Sequence, residues 1–332
     1  MASGSSKVVL TAIGGNSLIT VAKFIGWFFT HSPSMLAESV HSLADTLNQI
    51  LLMVGIVKSK SGPSKLFPWG TGKARYVWNL ISAMGIFFLG FGFTTYHGVH
   101  SLLHPTDAPS AANALTISVG ILVFSLIIEG YALYVALKEA AAQKGNASWK
   151  SYFLESDDPT VVGVVFEDAV AVIGVLIALT CIIVSKLFNF QSADAIGSIV
   201  IGVLMGFMAL YLALINSRLL IGARAGEVKE EEIKKFLNSL NYIENVAKLE
   251  AVTIGTGQIH LSVDLEFEAQ YLIDKDQLNK EVADIKSGES PAPILVKASS
   301  RMIRIVGEKI NQLEKEIKSK FPSVMTVDIE IN

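Results

Sequence analysis

Glu38, His41, Asp45 and Asn48 interrupt an otherwise apolar stretch from Met35 to Val57, stepping along the chain by three, four and three. At 3.6 residues per turn they form one stripe on a helix, with His41 and Asp45 one turn apart. An imidazole and a carboxylate so placed can hold a metal ion or pass a proton. A second acidic group follows in Val164-Val165-Phe166-Glu167-Asp168-Ala169-Val170. Adjacent helical residues point about 100° apart, so the two carboxylates cannot serve one spot equally. Asp168, on the face of Val161, Val164, Val172 and Val175, is assigned to the metal. Glu167 shares its face with Gly163 and Gly174, where a neighbouring helix can approach; it is a proton acceptor, a supporting group or an additional ligand.

These residues lie in segments long enough to cross a bilayer, which takes roughly 20 residues for roughly 30 Å of hydrocarbon. A carboxylate at mid-bilayer costs about 2.5–3.5 kcal/mol on insertion scales, so such groups face a bundle interior or a watery path. The chain has 332 residues, 51% of them hydrophobic, with a mean hydropathy of +0.48. That composition excludes an ordinary soluble enzyme, and the length exceeds what membrane spans need. A single cysteine, Cys181, offers neither a disulfide framework nor a thiolate metal cluster, and a net charge of −3 gives no reason to expect nucleic acid.

Six spans are predicted: Lys7–Thr30, Met35–Val57, Tyr76–Leu103, Ala112–Leu137, Thr160–Leu187 and Ala195–Ile221. The short turn His31-Ser32-Pro33-Ser34 makes the first two a tight antiparallel hairpin. Lys58, Lys60, Lys65, Lys73 and Arg75 lie between the second and third spans, and Lys138, Lys144 and Lys150 between the fourth and fifth. By the positive-inside bias both termini are cytoplasmic or in the equivalent compartment. The N-terminus carries neither a charged n-region nor an Arg-rich presequence, so the first span is expected to direct insertion, and a bacterial inner membrane is the expected location. Asn16, Thr20 and Lys23 share one face of the first span, an interhelical seam with Lys23 snorkelling to the interface. Glu129, beside Leu126, Ile127 and Ile128, is a proton carrier or the partner of a buried cation. His97, His100 and His104 read as interfacial.

Residues 1–222 are thus expected to form a transmembrane domain and 223–332 a cytoplasmic one. In the latter, Ile233, Phe236, Leu237 and Leu240 mark an amphipathic helix. Ile259, Leu261, Val263, Leu265 and Phe267 alternate as a half-buried strand. Ile303, Val306, Ile310, Leu313 and Ile317 mark a long helix ended by Pro322, before a last strand through Val327, Ile329 and Ile331. The order αββαβ suits a small ferredoxin-like α+β layer. Residues 269–298, with a short helix near 277–285, read as an insertion or mobile loop. His260 is expected on a solvated strand face.

His41-Ser42-Leu43-Ala44-Asp45 after Ser34-Met35-Leu36-Ala37-Glu38-Ser39, with Phe166-Glu167-Asp168, Tyr96-His97-Gly98-Val99, Leu103-His104-Pro105 and Asp194-Ala195-Ile196-Gly197-Ser198, resembles the zinc-transporter branch of the cation diffusion facilitator family. The resemblance runs over nearly the whole chain. It implies a homodimer that exchanges divalent metal for protons by alternating access, with zinc as substrate and no cofactor. His41, Asp45 and Asp168 carry over as metal ligands, with Glu167 added. Glu38, Asn48, Glu129 and Asn16 take proton-coupling or supporting roles. Val164 stands where the family usually has His or Asp. This oxygen-rich set also suits Mn²⁺, Fe²⁺ or Co²⁺. The loop Phe67-Pro68-Trp69-Gly70-Thr71-Gly72-Lys73 has Phe and Thr where the family often has histidines, and its glycines serve a tight turn. Uniport is the alternative within transport; a membrane metal sensor or an intramembrane metalloenzyme is the alternative outside it.

Overall fold

A computed structural model describes residues 2–104, 114–145, 148–155, 159–188, 190 and 192–332. The chain divides into two compact units, Met1–Ile221 and Gly222–Asn332.

The first unit is helical: α1 (Ala2–Thr30), α2 (Pro33–Lys58), α3 (Ala74–Leu103), α4 (Ala114–Lys144), the short α5 (Trp149–Glu155), α6 (Pro159–Leu187) and α7 (Ser192–Ile221). Five of them, α2, α3, α4, α6 and α7, are long and apolar enough to cross a membrane; the remaining expected span is the 29-residue α1. His31, in the left-handed region at φ 51°, ends α1 while its N–H bonds back to Trp27. Ser32 then caps α2, its hydroxyl accepting from the Met35 N–H at 3.1 Å, with Pro33 at the first helical position. The hairpin is therefore written locally. At the far end, Asp194 in the first turn of α7 accepts from the Ser34 backbone at 3.2 Å and from its hydroxyl.

One expectation about the loops changes and one is met. Lys138 and Lys144 lie on α4 and not in a loop, because Glu139-Ala140-Ala141-Ala142-Gln143 is strongly helix-forming and the helix runs on to Gly145. Between α2 and α3, Gly70 takes φ 79° and Thr71 bonds back to the Lys58 carbonyl at 2.7 Å, a self-contained turn.

Residues Ile86–Phe93 of α3 are wound as a π-helix. This stretch packs on α7 through glycines: Gly90 receives Met205, and Gly206 receives Phe91. One turn on, Gly202 abuts Thr95, where a β-carbon would sit 3.0 Å from the Thr95 backbone nitrogen. Small residues here take the place of a hydrophobic driving force, since lipid is as apolar as the helices.

The second unit contains α8 (Glu227–Asn238), β1 (Ile243–Gly255), β2 (Gln258–Phe267), a turn of 3₁₀-helix, α9 (Lys275–Lys286), α10 (Pro291–Lys320) and β3 (Val324–Ile331). The sheet order is β1-β2-β3, with β1 antiparallel and β3 parallel to the central β2. Ile259, Leu261, Val263 and Leu265 bury one face against Ile233 and Leu237 of α8 and Leu313 and Ile317 of α10. Residues 269–298 are not the loop expected. Asp274 caps α9, accepting from the N–H groups of Asp276 and Gln277, and α10 starts at Pro291, twelve residues before the apolar stripe that signalled it. Helix α9 is the short helix expected near 277–285, while Pro291 and Pro293, read as loop, instead open α10. Arg301 grips Glu281 with two hydrogen bonds of 2.7 and 2.6 Å, tying α10 to α9.

Two outcomes follow. Gly202→Ala should cost about 1–3 kcal/mol, because backbone must give way, and should lower the unfolding midpoint of the detergent-solubilised protein. Arg301, by hydrogen bond and charge, holds the Glu281 carboxyl below its ordinary value of 4.5. The tie is therefore complete above that pH and is lost as pH falls through the lowered value. Hydrogen exchange in α9, corrected for intrinsic rate, should rise on acidification, and Arg301→Gln should reproduce the rise at neutral pH.

Candidate metal and proton site

Helix α1 packs on α2 and α4, and between them sits an ammonium group. Lys23 Nζ lies 2.8 Å from Glu38 Oε2 and 2.8 Å from Glu129 Oε1, and Lys23 and Glu38 are wholly buried. The expected snorkelling does not occur. Seven residues before the end of α1, or about 10 Å of helix, Lys23 has two carboxylates closer than any interface. Glu129 thus takes the second of its expected roles, partner of a buried cation. Glu38 Oε1 and Glu129 Oε2 are buried with no hydrogen-bond partner. Glu38 Oε1 rests against Gly174 of α6, where any β-carbon would collide with it.

One turn along α2, His41 Nε2 approaches Asp45 Oδ2 to 3.3 Å, without the alignment of a hydrogen bond. Both imidazole nitrogens and Asp45 Oδ1 are buried and unsatisfied. Asp45 lies within Coulombic reach of Glu167, Glu129, Asp168 and Lys23, and Asp168 within reach of Glu129. Glu167 is engaged elsewhere. Its Oε1 accepts from Asn48 Nδ2 at 2.7 Å, and Asn48 Oδ1 accepts from the Ser82 hydroxyl at 2.6 Å, a chain from α6 through α2 to α3. Beyond Asn48 lies a cavity of about 20 Å³ whose walls include Asn48, Asn79, Val164, Glu167 and Asn216.

The structure therefore sorts the expected residues into groups. Glu38 and Glu129 meet through Lys23, His41 and Asp45 pair on α2, and Glu167 and Asn48 are hydrogen-bonded to each other. Asn16 accepts from the Thr20 hydroxyl through its backbone carbonyl, and Thr20 lies 3.4 Å from Thr46 on α2. Among the described residues, no three His, Cys, Asp or Glu side chains converge as ligands of one metal ion. Sequence reasoning missed Ser82, Asn79 and Asn216; Asn79 and Ser82 stand one turn apart in an apolar helix, and Asn216 begins the polar run Asn216-Ser217-Arg218 near the end of α7. In the second unit His260 Nδ1 lies 2.8 Å from the Thr326 hydroxyl and its Nε2 lies 3.6 Å from Asp328, on the strand face away from the core.

The chemistry follows from charge. Among the described residues the carboxylates of Glu38, Asp45, Glu129, Glu167 and Asp168 are buried or half-buried in the bundle, where Lys23 is the one buried ammonium. In a low dielectric such an excess of negative charge is sustained only with bound cations or protons. Removing Lys23 would strand two of these groups. Lys23→Met should destabilise the protein by about 3–5 kcal/mol, the cost of an uncompensated buried charge. Adding Glu38→Gln and Glu129→Gln should recover most of the loss, both read as unfolding midpoints in detergent.

Comparison with known proteins agrees with this architecture. The cation efflux transmembrane domain profile matches residues 9–221. The chain is 34% identical over 338 residues to the mouse "Proton-coupled zinc antiporter SLC30A9, mitochondrial", covering 99% of this chain and 59% of that protein, and the human protein of the same name matches to the same extent. "Metal tolerance protein C4" of Arabidopsis thaliana is 33% identical over 341 residues, covering 98% of this chain and 73% of that protein. The chain thus spans about six tenths of the length of its mammalian relatives.

Proposed function

Because the chain belongs to the cation efflux family, a family of multi-pass membrane proteins, we propose that it carries a divalent metal ion, zinc first, across a membrane in exchange for protons. The excess of buried carboxylates over the one ammonium carries this reading, since it demands a cationic partner and offers protonatable oxygens as the alternative. The mammalian relatives named as proton-coupled zinc antiporters support it.

In this reading His41, Asp45 and Asp168 hold the ion. His41 ligates as neutral imidazole and Asp45 and Asp168 as carboxylates, so each proton they take up weakens the metal and each metal bound releases protons. The unsatisfied nitrogens of His41 and the free Oδ1 of Asp45 are the groups such an ion would satisfy. Closing the set requires Asp168 on α6 to approach the His41–Asp45 pair on α2, a displacement suited to rigid helices sliding on glycine contacts. Glu38 and Glu129, fixed by Lys23, set the surrounding field, and Asn16 supports the α1–α2 seam. The protein acts as a homodimer through its second unit, with both termini on the cytoplasmic or equivalent side, and exports the ion from there. Val164, which supplies no donor, favours a second reading in which Mn²⁺ or Fe²⁺ is carried as well.

Proteoliposomes loaded with metal-sensitive and pH-sensitive dyes test the proposal. Zinc flux accompanied by opposite proton movement, abolished by Asp45→Asn and by Asp168→Asn, is the expected outcome. Metal flux without proton movement would establish uniport, and flux surviving both substitutions would remove the site.

A further inference from the structure

The cavity beyond Asn48 has a composition unlike the His41–Asp45 pair. Its polar lining is oxygen and amide: Asn48, Asn79, Asn216 and Glu167, contributed by α2, α3, α7 and α6. It lies toward the end of the bundle where α2 stops at Lys58 and α3 starts at Ala74. A volume of about 20 Å³ accepts one water-sized or ion-sized occupant.

Two of the walls carry carbonyl oxygens that no described residue satisfies. Asn216 is only 2% exposed, and its Nδ2 donates to the Leu212 carbonyl at 2.8 Å while its Oδ1 is buried without a partner. Turning the amide over would set two carbonyl oxygens against each other, so the orphaned group is the oxygen and not a misassigned nitrogen. Asn79 Oδ1 is also buried without a partner among the described residues. A buried carbonyl oxygen left unsatisfied costs about 1–3 kcal/mol, and two around one small cavity are not a packing accident. Glu167 adds the charge, held in place by the Asn48 amide. Asn48 has both ends of its side chain engaged, to Glu167 and to Ser82, and so works as the partition between this cavity and the His41 side.

We propose that Asn79, Asn216 and Glu167 form a second cation position, which takes a divalent metal ion still carrying part of its water before it reaches His41, Asp45 and Asp168. Neutral amide oxygens and one carboxylate suit a hard, partly hydrated ion and bind it more weakly than a set with imidazole and two carboxylates. The ordering in space, oxygen donors first and the nitrogen donor deeper, lets the ion exchange water for protein oxygen before it meets imidazole. This deepens the exchange reading and rests on it for the direction of travel, while the binding position itself does not depend on that reading.

The test uses the full-length protein in lipid nanodiscs and Mn²⁺ alone as the probe, with free hexaaqua Mn²⁺ read by electron paramagnetic resonance. Wild type should show two classes of bound Mn²⁺, and Asp45→Asn with Asp168→Asn should leave the weaker one. In that background Asn79→Ala with Asn216→Leu should weaken the remaining class by about ten- to hundredfold. Asn216→Asp, which keeps size and adds charge, should tighten it and so guards against a folding artefact. Loss of all Mn²⁺ binding in Asp45→Asn with Asp168→Asn, or a remaining class indifferent to the asparagine variants, overturns the second position. Failure of the exchange reading is seen separately, as metal flux that survives Asp45→Asn with Asp168→Asn, whatever the binding isotherms show.

Discussion

The helical unit depends on one ammonium group. Lys23 is buried between Glu38 and Glu129, one carboxylate from α2 and one from α4, at equal distances of 2.8 Å. Taking a charge of this kind out of water costs several kcal/mol, and only close, oriented partners repay it. The interaction therefore fixes three helices relative to one another more narrowly than apolar packing in lipid would. It also determines what is left over: each carboxylate keeps a second oxygen unsatisfied, while Asn48, farther along the α2 stripe, reaches Glu167 on α6.

That arrangement divides the interior into regions of different chemistry. Beside the ion-pair triad lies the His41–Asp45 pair, 3.3 Å apart, with both imidazole nitrogens buried and unsatisfied. Past Asn48 lies the amide-lined cavity, where carbonyl oxygens replace imidazole. Glu167 and Asp168, neighbours in the chain, point about 100° apart on α6, and Glu167 lines the cavity. Glycines set how closely the surrounding helices come: Gly174 admits Glu38, and Gly202 brings α7 against the backbone of α3.

Much of this was legible in the chain. The hydrophobic lengths marked the helices, the short turn His31-Ser32-Pro33-Ser34 marked the α1–α2 hairpin, and alternation from Ile259 to Leu265 marked the central strand, because each is a local consequence of period and turn chemistry. The stripe Glu38, His41, Asp45 and Asn48 was visible for the same reason. Helix α9 was legible as the short helix near 277–285, whereas the first turns of α10 escaped notice because Pro291 and Pro293, in a stretch of turn-type residues, open a helix here. The π-helical stretch of α3 was equally silent, since no residue type marks it.

The sequence by itself determined the membrane-crossing lengths, the acidic stripe, the lone carboxylates and the order of elements in the second unit, all of which follow from residue spacing along one segment. Only the tertiary structure decided that Lys23 turns inward and does not snorkel, that Glu167 belongs to Asn48, and that Asn79 and Asn216 share a cavity. Each of those depends on which oxygen or nitrogen lies within hydrogen-bond reach on another helix, and α1 and α4, α2 and α6, and α3 and α7 meet only when the bundle is packed.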